Sequence, residues 1–153
     1  MDGSVWITDS GSGAHHNIFT TVGGPLSILE NVFVVDLGTG YSQFEIDAIG
    51  RAANITIGGS VSYDNSLNTA NYDDVRIGAN PSDGTGTVAI DGSLTLRLAH
   101  DAAHVNSVLL GGDGDETTPA LTVMGPVFVV SGSTGDVIDI NAALFKLGSL
   151  IIP

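Results

Sequence analysis

The side chains best placed to do chemistry are acidic residues in glycine-rich turns. Residues 111–116 read Gly-Gly-Asp-Gly-Asp-Glu, and a second polar turn lies 33 residues earlier. Calcium binds six to eight oxygen atoms, which clustered carboxylates and backbone carbonyls can supply. The candidate ligands are Asp113, Asp115, Glu116, Asn80 and Asp83. The alternative is a pair of solvated acidic turns that keep the protein soluble, and we favour it.

Paired carboxylates are a second possible source of chemistry. Two carboxyl groups that flank a glycosidic bond can hydrolyse it as acid and base or nucleophile. The candidate pairs are Asp73 with Asp74, Asp113 with Asp115, and Asp136 with Asp139. The chain has only four Lys and Arg residues to hold an acidic glycan, and ordinary Asp-rich turns explain the same residues. We therefore expect no enzyme, and a carbohydrate-active enzyme is the weakest hypothesis.

Histidines and aromatic residues are weaker candidates for a functional site than the acidic residues. His100 and His104 have the i, i+4 spacing that chelates a metal if the segment is helical, but no third ligand accompanies them. A histidine pair also lies at 15–16, and no Gly-x-Ser-x-Gly nucleophile motif is present. Aromatic residues could form a sugar-binding platform, although core or interface packing is their usual role. These residues are Trp6, Phe33, Tyr41 and Phe44.

Composition excludes several classes of protein. The 153 residues suit a single domain, with 17 acidic against four basic side chains and a net charge of -13. We expect no binding to nucleic acid or to anionic membranes, since both need clusters of Lys and Arg. Cysteine is absent, so no disulfide or thiolate site can form. The first six residues lack the features of a signal peptide, and no apolar stretch is long enough to span a membrane.

A repeat of 33 residues organises the chain. Residues 55–63, 88–96 and 121–129 share an apolar-x-apolar-x-Gly-x-apolar-x-apolar pattern, and 75–78 matches 108–111 at the same spacing. A weaker copy at 21–28 aligns with an offset of 35. Alternation with a period of two is typical of strands with one buried face, and the central glycine marks a bend or a close backbone approach.

The repeat predicts an all-β fold, a short parallel β-helix (β-solenoid) of about four 33-residue repeats. A β-sandwich or jelly roll is the alternative. We expect one domain over residues 1–153. An N-terminal strand segment occupies 1–19, the repeats occupy 20–130, and C-terminal strands occupy 131–153. Helical signals are weak, although 98–108 could form a short helical turn.

The repeat resembles a known class of sequences. Val-Arg-Ile-Gly at 75–78 and Gly-Thr-Gly-Thr-Val-Ala-Ile-Asp-Gly-Ser-Leu-Thr-Leu at 84–96 are similar to the Gly- and Thr-rich repeats of bacterial surface β-helix proteins, including autotransporter passengers. Similar short β-helices occur in bacteriophage fibres, spikes and capsid appendages. The acidic turn at 111–116 is also similar to the start of the calcium-binding nonapeptide of β-rolls. The resemblance implies a scaffold and assigns no functional residues.

The ends of a short solenoid must be capped, paired or covered, because they are open sheet edges. Apolar strands near both ends of the sequence are therefore candidate interfaces. Their residues are Val5, Trp6, Ile7, Leu147, Leu150, Ile151 and Ile152. We expect a homo-oligomer (a trimer or a stack) that also contacts neighbouring capsid or surface proteins, with carbohydrate a further possible partner. Packing of both strands beneath their own chain is the alternative.

These features predict a non-enzymatic structural protein that needs no cofactor, calcium excepted. A virion component, such as a capsid-decoration, fibre or spike protein, is the favoured context because it needs no signal peptide. The alternative is a module of a bacterial surface adhesin or extracellular filament.

Overall fold

The computed structural model describes residues 1–50, 53–78, 86–111, 121–130 and 135–140, together with the backbone of two strands at 145–146 and 149–151. These residues form sixteen strands, numbered in chain order, and no helix. Each strand pairs in parallel with the strand three places later. The chain therefore winds through three sheets in turn, and every third strand returns to the same sheet. The prediction of an all-β parallel solenoid is confirmed, and the sandwich alternative is wrong.

The three sheets form the three sides of the solenoid. Sheet A contains β1 (Val5–Asp9), β4 (Val32–Asp36), β7 (Val61–Asp64), β10 (Leu94–Arg97), β13 (Pro126–Val130) and β16 (Ser149–Ile151). Sheet B contains β2 (His15–Val22), β5 (Ser42–Ile49), β8 (Asp73–Ile77), β11 (Ser107–Leu110) and β14 (Val137–Ile140). Sheet C contains β3 (Pro25–Ile28), β6 (Asn54–Ile57), β9 (Thr87–Ile90), β12 (Leu121–Val123) and β15 (Phe145–Lys146). From β1 to β13 the chain completes four turns, which we call coils.

The 33-residue spacing holds in the later coils. Val61, Leu94 and Val127 lie in one register, and Val75 pairs with Val108. The first coils are shorter, since Val5 pairs with Val32. The proposed alignment of 21–28 at an offset of 35 is wrong, because Pro25–Ile28 pairs with Asn54–Ile57. The apolar alternation is the same in every sheet, so it does not show which corner a glycine occupies. The alignment therefore matched Gly23 and Gly24, between sheets B and C, to Gly58 and Gly59, between sheets C and A.

The core fills the inside of the three sheets. Alternate residues of each strand point inward, and their side chains stack on those of the coils above and below. Tyr63, Leu94 and Leu96 are fully buried, as are their register partners Val127 and Val129. Burying each large aliphatic side chain contributes about 1.5–3 kcal/mol, so stacking of coils is the main source of stability.

Glycine shapes all three corners, including the corner between sheets A and B, where a Cβ added to Gly40 would lie 1.7 Å from the Gly13 carbonyl oxygen. Each of the first four strands of sheet B is followed at once by a glycine with positive φ, a conformation that costs other residues energy. These residues are Gly23, Gly50, Gly78 and Gly111. Between sheets C and A, a Cβ added to Gly92 or Gly125 would lie 2.7 Å from backbone atoms of the preceding coil. The predicted close backbone approach is confirmed, because the repeated pattern spans two strands and the tight corner between them.

Candidate functional site

The first-coil edge, formed by β1, β2 and β3, leaves part of the core uncovered. Four inward-facing apolar residues of this coil are only half-buried, although they pack against the core. Their register partners in the second coil are almost completely buried. The pairs are Val5 with Val32, Ile7 with Val34, Phe19 with Ile46, and Leu26 with Ile55. The second coil differs in having a coil stacked on each side, so the first-coil edge is an incomplete core surface.

An aromatic stack ends at the same edge. Trp6 points outward from β1 and stacks on Phe33 of β4, with ring centroids 4.1 Å apart and an interplanar angle of 27°. The Trp6 side chain is nevertheless 72% exposed. Its opposite ring face is therefore open to a further aromatic or aliphatic group. The sequence prediction named Val5, Trp6 and Ile7 as interface residues, and the structure places all three on this edge.

The opposite end of the solenoid is also partly open. In β14 the inward-facing Ile138 and Ile140 are half-buried, and Val137 is 57% exposed. In sheet A, the backbone of β16 covers β13, with Leu150 paired with Val127 and Ile151 with Phe128. Leu147 and Ile152 lie outside the described residues. The strand β16 of the predicted C-terminal interface is thus the outermost strand at one end of sheet A, and β1 is the outermost strand at the other end.

A buried polar network runs along the corner between sheets A and B. Asp36 is its first carboxylate: Oδ1 lies 2.7 Å from His15 Nδ1 and accepts a hydrogen bond from the Gly38 amide, and Oδ2 accepts one from the Ser42 hydroxyl at 2.6 Å. Ser42 is buried and donates to the carboxylate rather than to the imidazole. These three side chains therefore lack the Ser-to-His contact that activates a nucleophile.

Asp73 continues the network in the next coil. Its Oδ1 accepts hydrogen bonds from the Tyr63 hydroxyl (2.7 Å) and Asn65 Nδ2 (2.6 Å), and its Oδ2 accepts one from the Ala99 amide (2.6 Å). Burial raises the pKa of Asp73 from 3.8 to about 6, although these hydrogen bonds favour the carboxylate. Burial likewise raises the pKa of Tyr63. Asn106 extends the network by bonding Asp73 N and Asp136. This network braces neighbouring coils.

The candidate catalytic pairs do not come together where they are described. Asp73 and Asp74 are adjacent on β8 and point to opposite faces, so that Asp73 is buried and Asp74 binds Arg76 outside, with Nη2 to Oδ2 at 2.9 Å. Asp136 bonds Asn106 at the corner, whereas the side chain of Asp139 is exposed on β14. Two carboxylates on opposite faces of a strand cannot flank one bond.

The histidines also occupy separate environments. His15 and His16 are neighbours on β2, so His15 faces Asp36 while His16 points outward to Gln43. Residues 98–106 form no helix, which removes the basis for chelation by His100 and His104. His104 Nδ1 instead contacts Asp101, whose pKa is lowered by the Ala103 amide and by this histidine. The helical turn allowed by the sequence is therefore wrong.

The four candidate aromatic residues divide among three environments. Phe44 is buried and stacks on Tyr63, with ring centroids 4.9 Å apart. Tyr41 packs at the edge of sheet B against Tyr72, 5.0 Å away. Trp6 and Phe33 share the outer face of sheet A. A single sugar platform made from all four is therefore wrong.

The calcium candidates Asp113, Asp115, Glu116, Asn80 and Asp83 all lie outside the described residues, so calcium binding stays a prediction. Among the residues that the structure describes, no cluster of three or more His, Cys, Asp or Glu side chains is positioned to hold a metal ion. Within the same residues, no helix is long and apolar enough to cross a membrane.

Comparison with known proteins identifies no relative. No protein-family model, curated protein or solved structure matches the chain. The fold and the surfaces described above are therefore the basis for proposing a function.

Proposed function

We propose that this protein is a non-enzymatic structural protein that assembles through its first-coil edge. The observation that carries the proposal is the half-burial of Val5, Ile7, Phe19 and Leu26 at positions where the next coil is fully buried. Covering the part of each side chain that is still exposed contributes only a fraction of the roughly 1.5–3 kcal/mol for burying a whole aliphatic or aromatic side chain, and the four contributions add up. A coil from another molecule supplies that cover and also pairs the open strand edge.

The favoured context is a virion, where the protein serves as a capsid-decoration, fibre or spike component beside neighbouring capsid proteins. The resemblance of the repeat to short phage β-helices supports this choice. A solenoid with one continuous core is a rigid spacer, which suits such a position. The second candidate is a module of a bacterial surface adhesin or filament, which the same resemblance also favours. A gene that lies among capsid or tail genes supports the first context, and one encoding further repeats behind a signal peptide supports the second.

The solution mass at increasing protein concentration tests assembly through the edge. We expect the mass to rise above the 15.6 kDa of one chain. Ile7→Lys directs a charge into the open core surface and blocks a further coil, which is how natural edge strands avoid pairing. Thr20→Lys is the matched control, because Thr20 lies in the same coil, on β2, with its side chain exposed on the outer face of sheet B.

At concentrations well below millimolar, the Ile7→Lys protein is expected to remain a monomer while the Thr20→Lys protein assembles like the wild type. Circular dichroism establishes that both variants keep their β structure. A wild-type protein that stays at 15.6 kDa at every concentration contradicts the proposal. Equal assembly by the two lysine variants also contradicts it, because the edge would then not be the contact surface.

A further inference from the structure

The outward side of sheet A carries two rows of side chains with a symmetric pattern. The first row runs Phe33, Ser62, Thr95 and Phe128 across strands β4, β7, β10 and β13. The second row, two residues further along the same strands, runs Val35, Asp64, Arg97 and Val130. Over these four strands each row is apolar at both ends and polar in the middle, and β1 adds the exposed Trp6 to the first row and Thr8 to the second. Read in either direction, β4 to β13 therefore present the same chemistry.

This face also differs in charge from the rest of the molecule. Its two charged side chains in these rows, Asp64 and Arg97, lie 3.9 Å apart and cancel. The outward side of sheet B, in contrast, carries Glu45, Asp74 and Asp139 against Arg76. The whole chain has a net charge of -13. Two copies that meet through acidic faces repel each other, whereas sheet A is a neutral face with apolar ends.

We propose that the outer face of sheet A binds the same face of a second copy of this chain. The two copies are related by a two-fold axis parallel to the strands, which reverses the order of strands in the partner. β4 then lies opposite the partner's β13, and β7 lies opposite the partner's β10. Phe33 meets Phe128, Val35 meets Val130, and Asp64 meets Arg97, each pair occurring twice. A partner of different sequence has no reason to match this reversed pattern, so a second copy is the occupant.

The size of the face sets the expected strength. Six strands about 4.8 Å apart, each with three to five residues at about 3.3 Å, give a face of roughly 400 Å² in each copy. The contact then buries about 800 Å² in total, less than the roughly 1,200 Å² of a stable, specific interface. The dimer is therefore weak and reversible, and it forms at high protein concentration. In an ordered array the same contact recurs at every molecule, so a weak contact is sufficient.

This inference is independent of the first-coil edge, and its test uses the Ile7→Lys protein, in which that edge is blocked. Sedimentation equilibrium up to millimolar concentration measures the dimer. Phe33→Ser should weaken the dimer roughly tenfold or more by removing buried aromatic surface. Serine suits the position because Ser62 follows Phe33 in the same row. Ile18→Ser is the control: Ile18 is an exposed apolar residue on the outer face of sheet B, and its removal should leave dimerisation unchanged.

A charge exchange tests the geometry separately. Arg97→Asp places a carboxylate opposite the partner's carboxylate and should abolish dimerisation. The double variant Asp64→Arg with Arg97→Asp restores opposite charges across the two-fold axis and should recover it. Asp64 also accepts hydrogen bonds from Ser66, so the fold of the double variant is checked first by circular dichroism. If that variant does not fold, the Phe33→Ser comparison alone decides.

Three results overturn the inference. The first is a monomer at all concentrations in the Ile7→Lys protein. The second is an equal effect of Phe33→Ser and Ile18→Ser. The third is a folded double variant that does not dimerise. If the dimer is seen while the wild type shows no assembly beyond it, the face is supported and the first-coil edge is not.

Discussion

Protonation of one buried carboxyl, that of Asp73, should make a distinct contribution to the pH dependence of stability. The Asp73 carboxylate is fully buried at the corner between sheets A and B, and it accepts three hydrogen bonds. Burial raises its pKa from 3.8, the ordinary value for an unfolded chain, to about 6. The folded protein therefore binds this proton more tightly than the unfolded chain does. The free energy of unfolding falls as pH rises through this window and is highest, for this group, below pH 3.8.

The size of the effect follows from the pKa difference. The interval between 3.8 and about 6 corresponds to about 3 kcal/mol in the free energy of unfolding. Most of this change should occur between pH 4 and pH 6.5, the interval around the two values. The other carboxylates also contribute over this range, because protonating them reduces the repulsion within a chain of net charge -13. The contribution of Asp73 is therefore the part that an Asp73→Asn variant loses.

Urea denaturation of both proteins, at half-unit steps of pH, measures this difference. Asparagine suits the corner, since Asn106 holds the equivalent place in the next coil and bonds Asp73 N. At neutral pH an amide at residue 73 loses the charge but leaves the Ala99 amide without its acceptor, which costs about 1–3 kcal/mol. The two effects oppose each other there, so the slope with pH, and not the absolute stability, is the diagnostic quantity. Equal slopes for the wild type and Asp73→Asn between pH 4 and pH 6.5 would refute the reasoning.

Two further predictions concern the packing of the coils. Gly92→Ala should cost about 1–3 kcal/mol in the free energy of unfolding, because its Cβ would lie 2.7 Å from backbone of the preceding coil. Gly24→Ala is its control and should change stability little, since a Cβ there meets no atom within 4 Å; equal losses in urea denaturation would contradict the close approach. Leu94→Ala should cost about 2–5 kcal/mol, since Leu94 is fully buried between Val61 and Val127. A loss below about 1 kcal/mol in the same assay would show that these coils do not share a continuous core.

The fold was predictable from the sequence because the length of the repeat gives the offset at which strands of successive coils pair. Val61, Leu94 and Val127 recur at 33-residue intervals and pair as that spacing requires. The first coils were harder to predict because they lack this constant length. The alternation of apolar and polar residues is the same in all three sheets, so it identifies strands without assigning them to a sheet. The misaligned segment at 21–28 is the result.

The buried polar corner could not be predicted in the same way. Asp36 and Asp73 look like solvated turn residues in the sequence, and their burial depends on where the chain turns between sheets A and B. A partial signal was present: Asp9 and Asp36 each follow directly on an apolar-rich stretch, and the structure pairs them in register. The outer face of sheet A was also hidden, since only the stacking of four strands places Phe33 and Phe128 in one row. To predict such a surface, one must know the register between neighbouring strands as well as where the strands lie in the sequence.

Hydrogen exchange of β1 is the most direct test of assembly through the first-coil edge. Alternate backbone amides of an edge strand point away from its sheet and are open to exchange. As protein concentration rises, exchange in the peptide that contains Val5–Asp9 should slow, while Asp73–Ile77 in the middle of sheet B should stay constant. Lateral pairing through the outer face of sheet A leaves the free side of the β1 backbone unpaired and so does not reproduce this protection. Unchanged exchange in β1 over a concentration range in which the mass increases would contradict assembly through the edge.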